Sequence, residues 1–463
     1  MMQRTANAVI GANYGDEGKG LMTDYHVAPA GEDGIVVRFN GGAQAGHTVV
    51  TPGGRRHVFS HVGSGALAGA ATFLSRHFVC NPALFFKEAA ILPAPPRVFV
   101  DERAPLSTLY DILINQAVER HRGKGRHGSC GMGIGETIER NLDPDFALTM
   151  ADLRQGAGYL LHRLGAIRRG YVPRRLASLG IAALDGHSAE WLASDSALQH
   201  YAHAAMQFSR ATQLARPGLL ADFGHVVFEG AQGLLLDQDR GAFPYVTRSH
   251  TGIRNALDVA AEAGIAALDV TYVSRAYLTR HGAGPLANEL PAKPYPGIRD
   301  DTNIPNEFQG NLRFAHLDLD VLEQSVRADY ADALLQPSVA VSLNLAFTCL
   351  DQIGPALSYF ESGERKTAAP DVLAAHLAGR LGARVLYTAW GPARNAVKIA
   401  ANVRERLAKP LACSRANTAA NPSSKELVVH CRERGLDGII RGTRASAADP
   451  DFVPVDGCQT NPA

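Results

Sequence analysis

Four glycines in the ten residues Gly11–Gly20 constrain this chain more than any other feature. They follow a short apolar run, Ala8–Val9–Ile10, and precede a helix-like stretch from Leu21 to Val27. Strand, glycine-rich loop and helix together aim backbone N–H groups and a helix N-terminus at a phosphate. Lys19 adds a point charge for a phosphate oxygen. The loop is not a Walker A motif, which needs Gly where Asn13 stands and Ser or Thr where Gly20 stands. Asp16 and Glu17 would repel phosphate, so at least one of them either holds Mg²⁺ against the phosphates or takes a proton from a substrate. The alternative is a Gly/Asp surface turn with its charges in water.

A second junction of the same kind follows. Ile35–Val36–Val37–Arg38–Phe39 is apolar and β-branched, and it ends in Asn40–Gly41–Gly42–Ala43–Gln44–Ala45–Gly46–His47–Thr48. Two such junctions within fifty residues are what adjacent parallel strands produce, with ligand loops at their C-terminal edge. His47 sits where backbone can approach a ligand closely.

This pair of stretches resembles the adenylosuccinate synthetase family, whose hallmark is Gly-Asp-Glu-Gly-Lys-Gly followed by Gly-Gly-x-x-Ala-Gly-His-Thr. The resemblance covers about Asn7 to Lys398. It implies an α/β fold with a central, mostly parallel sheet flanked by helices, a P-loop-like nucleotide-binding loop and a helix-rich middle insertion. It also implies a ligase that joins L-aspartate to C6 of a 6-oxopurine nucleotide through a 6-phosphoryl intermediate. By the family pattern, Asp16, His47 and Gln232 are catalytic. Gly15, Asp16, Glu17, Gly18, Lys19, Gly20, Gly46, His47, Thr48, Gly391 and Pro392 hold the triphosphate. Mg²⁺ is bound by Asp16 and the Gly46 carbonyl, with GTP or ATP as co-substrate. Asn13, Gln44, Ser129, Cys130, Arg140, Gln232, Thr247 and His281 face the acceptor nucleotide. Arg140 is the nearest candidate for an arginine lent by the partner subunit of a homodimer, although it falls off the usual position.

The chain also departs from the family. Gly128–Ser129–Cys130–Gly131 replaces Gly-Thr-Thr-Gly, keeping one hydroxyl. The aspartate loop retains one arginine, Arg313, whose fork suits a carboxylate. The family reads guanine with Thr-Lys-x-Asp at a strand end. Aligned with Val339–Phe347, that motif loses its Lys and Asp, and ATP becomes acceptable; in a shifted register Asp351 supplies the carboxylate. These departures raise a second expectation: the same chemistry on GMP or dGMP, giving 2-aminoadenylosuccinate with ATP as donor. A P-loop-type NTPase, or a non-catalytic nucleotide-binding paralogue, is the reading from other classes.

The bounds agree with a globular enzyme. Of 463 residues, 46% are hydrophobic and 20% charged, enough for a large core. A net charge of +1 argues against a nucleic-acid footprint. No run reaches the length of a membrane helix, and the polar start Met1–Ala6 is too short for a signal peptide before the first strand. Six scattered cysteines without Cys-x-x-Cys fit reduced thiols in a cytoplasmic setting.

Further spacing predicts that His57–Val62 continues the core sheet and that Phe78–Cys80 and Val98–Asp101 are strands. Helices are expected over 83–90, opened by Pro82, and over 107–121. Ala151–Ala215 reads as helical packing. Residues 1–400 form the ligase domain. Residues 401–463 are a C-terminal extension, with a polar linker over 416–424, one short element near 426–431 and a disordered end; the part after Asn421 is expected to be dispensable.

Overall fold

The apolar runs are continuous rather than alternating, the pattern of strands buried on both faces of a parallel sheet. A computed structural model describes residues 4–300, 302–303 and 307–400. It contains a ten-stranded sheet in the order Val397–Ala400, Leu386–Ala389, Ala340–Thr348, Ala267–Arg275, Thr5–Gly11, His225–Glu229, Gly34–Arg38, Ala71–Leu74, Val98–Asp101, Gln213–Ala215. Every neighbouring pair is parallel except the edge pair Leu386–Ala389 with Val397–Ala400.

Successive residues serve opposite faces. Ala8 and Ile10 pack in a core with Ala256 and Val259 of the helix Arg254–Glu262 and with Leu322 of the helix Leu319–Tyr330. Val9 packs on the other side with Met22 and Val27 of the helix Lys19–Val27. A further core gathers the helices of the middle segment, where Phe85 and Phe208 meet with ring centroids 4.8 Å apart. The expected helix-rich insertion is present as Ala157–Ala166, Val172–Ser178, Gly186–Ala193 and Asp195–Ala211.

The expected helices form with their caps. Asn81 caps Pro82–Ala89, and Thr108 with Asp111 makes a capping box for Leu109–Arg122. Two expectations are corrected. Arg56–Phe59 pairs antiparallel with His47–Val50 in a separate hairpin and does not extend the main sheet. Phe78–Cys80 makes only isolated bridges, Val79 with Gly42 and Cys80 with Leu106; the strand is Ala71–Leu74, upstream. A five-stranded sheet formed by Tyr277–Arg280, Glu289–Leu290, Arg313–Asp318, Leu357–Glu361 and Glu364–Ala368 stands beside the main one. The C-terminal extension, with its expected linker and short element, lies outside the described residues.

The first strand lies between strands 225–229 and 267–275, and the chain builds outward from it in both directions. Such a reversal of strand order opens a crevice beyond the C-terminal ends of the strands, where ligands bind in open α/β sheets.

Candidate active site

The loop after the first strand turns sharply, with Gly15, Asp16 and Gly18 at φ of 100°, 62° and 95°. Inside the turn lies the Glu17 carboxylate. Its Oε1 accepts the backbone N–H of Gly15 at 2.7 Å and of Asn13 at 3.1 Å; its Oε2 pairs with Lys19 Nζ at 2.7 Å. Both charged side chains are buried. The space exists because position 11 is glycine: a Cβ there would stand 2.4 Å from Glu17 Oε2. The amides read as a phosphate nest thus donate to the chain's own carboxylate. Glu17, expected among the triphosphate-binding residues, is engaged here by the loop's own amides and by Lys19.

Asp16 points the other way. Its Oδ2 meets His281 Nε2 at 3.0 Å, and His281 also contacts Asn303 Oδ1 at 2.9 Å. Burial alone would raise the Asp16 carboxyl. The His281 hydrogen bond and the charges of His281, Arg275 and Lys19 outweigh it and hold the group at about 2. His281 is in turn raised above its usual range: burial works against its cationic form, and its bond to Asp16 outweighs that. Asp16 Oδ1 makes no hydrogen bond among the described residues. A free carboxylate oxygen and an exposed Gly46 backbone are hard oxygen donors of the kind Mg²⁺ takes, so the residues present fit that ion.

His47 opens the Gly46–Thr48 side of the crevice and is buried. Its Nδ1 is 2.7 Å from Oε1 of Glu229, the last residue of the neighbouring strand. The Glu229 carboxylate also accepts from Ser64 N at 3.1 Å and from Ser64 Oγ, and Arg38 Nη1 stands 3.8 Å away. Burial would raise Glu229, but His47, Arg38 and Ser64 together bring it to about 2. The carboxylate fixes the ring, so Nε2 is the nitrogen left for a ligand. Burial lowers the His47 imidazole below its usual range, against the pull of Glu229. Glu229, which holds the His47 ring, is a residue that the sequence motifs do not single out. Its signal was a lone acid closing the apolar run Val226–Phe228 immediately before a glycine loop.

Asn40 joins the two glycine loops: its Oδ1 accepts from Ala231 N at 2.7 Å and its Nδ2 donates to Ala231 O at 3.0 Å. This brings Gln232, in the left-handed region at φ 57°, against Gly41, where a Cβ would lie 3.2 Å from Gln232 Oε1. Gln232 Oε1 and Gln44 Oε1 are both buried and have no donor among the described residues. Each can accept a hydrogen bond from a ligand donor. Thr247 is half-buried, its backbone N–H bonded to Leu236 O at 2.8 Å. The Gly128–Gly131 loop abuts the 282–284 turn; a Cβ on Gly128 would stand 2.6 Å from Ala283 N. Ser129 Oγ accepts from Asn115 Nδ2 at 3.0 Å, and burial pushes the Cys130 thiol up to about 11.

Three expected residues are spent elsewhere. Arg140 is fully buried: its Nε and Nη2 each reach Asp111 at 2.9 Å, and it donates to Phe146 O and Leu106 O at 2.7 Å. It holds helix Ile134–Asn141 on helix Leu109–Arg122. Asn13 is buried, with Nδ2 donating to Ser274 Oγ at 2.9 Å, and braces the loop. Arg313 is engaged by Glu289, through Nε at 2.8 Å and through Nη2. Its Nη1 donates to Gly282 O at 3.1 Å and Gly284 O at 2.9 Å. Its fork is closed in this structure and supports the 282–284 turn.

The donor end is also re-registered. Leu343, Asn344 and Leu345 lie buried inside the strand Ala340–Thr348, three or more residues before its C-terminal end. The turn at its C-terminal end is Thr348–Cys349–Leu350–Asp351, with Asp351 exposed. Thr348 Oγ1 donates to Glu17 O at 2.6 Å, tying this turn to the phosphate loop. On the adjacent strand, Gly391 and Pro392 follow Trp390 in a turn pinned by Arg394, whose Nη1 reaches both oxygens of buried Asp24 at 3.1 and 2.9 Å.

The described residues hold no helix long and apolar enough to cross a membrane. A family model for adenylosuccinate synthetase matches residues 8–377. An adenylosuccinate synthetase from Stenotrophomonas maltophilia is 36% identical over 312 residues, 63% of this chain and 67% of its own length. One from Xylella fastidiosa is 34% identical over the same extent. Among solved structures, a fully ligated adenylosuccinate synthetase from Plasmodium falciparum matches with a TM-score of 0.65 at 18% identity, covering 85% of this chain and 99% of that one. A cyanophage S-2L succinoaminodeoxyadenylate synthetase, bound to dGMP and to dATP as an energy donor, gives 0.54 at 15% identity, covering 88% and 98%. The two structures share the fold of this chain.

Proposed function

We infer the reaction from the premise that this chain belongs to the adenylosuccinate synthetase family. It is a ligase that forms a C–N bond, joining L-aspartate to a 6-oxopurine nucleotide as a nucleoside triphosphate is consumed. In our reading the acceptor is IMP. Asp16 takes the proton from N1, O6 attacks the γ-phosphorus, and the bond to the leaving diphosphate breaks. The neighbouring His281, Arg275 and Lys19 keep the Asp16 carboxyl ionised and so able to accept that proton. His47, oriented by Glu229, donates from Nε2 to the charge gathering on the phosphate oxygens once the arriving phosphates have favoured its protonated form. Gln44 and Gln232 offer their orphaned carbonyl oxygens and their amide donors to the purine edge. The aspartate amine then attacks C6, phosphate departs with O6, and an N6-succinyl purine nucleotide results. Mg²⁺, held by Asp16 and the Gly46 carbonyl, would supply positive charge over the phosphates.

We propose GTP as the donor. Asp351 stands at the strand end where the family's Thr-Lys-x-Asp lies, and its carboxylate can accept from both N1–H and the exocyclic amine of guanine. Cys349 takes the place of the lysine. Adenine would leave the carboxylate unpaired, at a cost of roughly 1–3 kcal/mol. We further place the enzyme in the cytoplasm as a homodimer, the state usual for the family.

The observation that carries this reading is the convergence of Asp16, His47 and Gln232 on one sheet edge beside the phosphate loop. A second reading, amination of GMP or dGMP with ATP, draws on the dGMP- and dATP-bound structural neighbour and on the Gly-Ser-Cys-Gly departure. Incubating the enzyme with L-aspartate, each of IMP, GMP and dGMP, and either GTP or ATP, then weighing products by mass spectrometry, separates them. Succinylated product from IMP with GTP supports the first reading; product only from a guanine nucleotide with ATP replaces it. Triphosphate hydrolysis indifferent to aspartate contradicts both.

A further inference from the structure

Arg275 is the last residue of the strand Ala267–Arg275, opposite Thr348 in register. That strand lies between the one that feeds the phosphate loop and the one that feeds the Thr348–Asp351 turn. A nucleoside triphosphate with its base at the turn and its γ-phosphate at the loop must pass its phosphates over this strand end.

The guanidinium there is poorly matched by the protein. Nε is buried and has no acceptor among the described residues. Nη1 donates to the Tyr277 hydroxyl at 3.4 Å, and the Tyr277 ring centroid is 5.5 Å from the guanidinium carbon. No described carboxylate lies within ion-pair distance; Asp16 and Asp300 act on it only through longer-range charge. Arg38, fully buried, also has Nε and Nη2 without acceptors among the described residues, but it faces the Glu229 carboxylate at 3.8 Å; two further buried arginines are fully engaged. Arg140 has Asp111, and Arg280 gives its donors to the carbonyls of Ala283, Pro285 and Tyr245. Arg275 as a whole is half-buried, yet an arginine cannot shed its proton, and a buried N–H without an acceptor is costly to keep. Tyr277 holds the side chain in place, its own hydroxyl donating to Gln352 Oε1 at 2.7 Å.

We propose that Arg275 is a ligand to the polyphosphate of the nucleoside triphosphate donor. It completes its hydrogen bonds on phosphate oxygens and neutralises charge that Lys19, already paired with Glu17, does not meet alone. The proposal rests on the reading that this crevice binds a nucleoside triphosphate.

The test measures binding apart from turnover. The dissociation constant of the β,γ-imido analogue of GTP, with Mg²⁺, is determined by calorimetry for the full chain, Arg275→Met and Arg275→Lys. Steady-state KM values are taken for IMP and L-aspartate. The expected result is a tenfold or greater weakening of analogue binding in Arg275→Met, about 1.4 kcal/mol, with partial recovery in Arg275→Lys. KM for IMP and aspartate should stay within threefold of the parent. Melting temperatures of both variants report whether they fold, and Arg275→Lys carries the test if the methionine variant does not. Unchanged analogue binding in a folded variant overturns the proposal. So does a rise in aspartate KM with analogue affinity intact, which would give the cation to the amino-acid carboxylate. If the parent binds the analogue through Arg275 yet makes no succinylated product, the ligase reading fails while this assignment stands.

Discussion

Replacing Glu229 with glutamine keeps the shape of the side chain and removes one charge from a fully buried set. The carboxylate receives His47 Nδ1 at 2.7 Å, Ser64 N at 3.1 Å and Ser64 Oγ, with Arg38 at 3.8 Å. Holding the group at about 2 instead of 4.5 corresponds to roughly 3 kcal/mol of preference for the ionised form. Breaking a buried pair by removing one partner costs about 3–5 kcal/mol. The two figures agree, so Glu229→Gln is expected to lose about 3 kcal/mol of stability at neutral pH. The sign follows from linkage: a carboxyl lowered on folding contributes stability above its unfolded value, and that stability is lost as pH falls toward 2. Acid unfolding of the parent should therefore include a component between about pH 5 and 2 that the variant lacks. Catalysis suffers separately, because glutamine can still accept from Nδ1 but cannot stabilise a cationic ring. A loss of about 10²-fold in kcat, near 2.7 kcal/mol, is expected. Ser64→Ala removes a hydrogen bond without changing charge and should leave kcat within about fivefold. The assays are thermal melts across pH and aspartate-dependent product formation. A folded Glu229→Gln variant with kcat within threefold of the parent would refute the positioning argument.

Asp16→Asn should abolish ligation while triphosphate binding stays within about tenfold, since loss of a proton acceptor exceeds loss of one hydrogen bond; turnover within a few-fold of the parent removes Asp16 as the base. Glu17→Gln keeps an oxygen for the Asn13 and Gly15 amides but removes the charge paired with Lys19, and should tighten triphosphate binding about tenfold by freeing that cation. An unchanged affinity by competition titration means that Glu17 stays in place beside the bound donor. Arg394→Ala unpins the Trp390–Pro392 turn from Asp24 and should raise donor KM about tenfold with aspartate KM unchanged. Equal shifts in both constants count against a donor-side role. Arg140→Ala should lower stability by about 3–5 kcal/mol without altering which nucleotides are used, as expected for a residue that joins two helices; a selective rise in acceptor KM in a folded variant contradicts this.

The strand–loop–helix units were legible because Val9–Ile10 and Ile35–Val37 are unbroken apolar runs that stop at glycines, and position 11 tolerates nothing larger. Asp16 and His47 stood out as chemistry inside those loops. What stayed hidden depends on neighbours distant in sequence. Arg140 and Arg313 look like available cations until Asp111 and Glu289 close on them. The strand containing Leu343–Leu345 carries no glycine or proline to mark its end, which is fixed by pairing of Thr348 with Arg275. Ala71–Leu74 is four residues of mixed character, while the more apolar Phe78–Cys80 makes only single bridges. The tie between His47 and Glu229 spans 182 residues and no local pattern announces it.

The most direct measurement of the central claim follows the oxygen of the acceptor. IMP labelled with ¹⁸O at O6 is incubated with the enzyme, L-aspartate, GTP and Mg²⁺, and the released phosphate and nucleotide product are weighed. Attack by O6 on the γ-phosphorus predicts one ¹⁸O in each released phosphate, an unlabelled N6-succinyl nucleotide, and no phosphate release beyond background when aspartate and IMP are both omitted. Unlabelled phosphate would contradict the account, because it would mean that water, not O6, had taken the phosphoryl group.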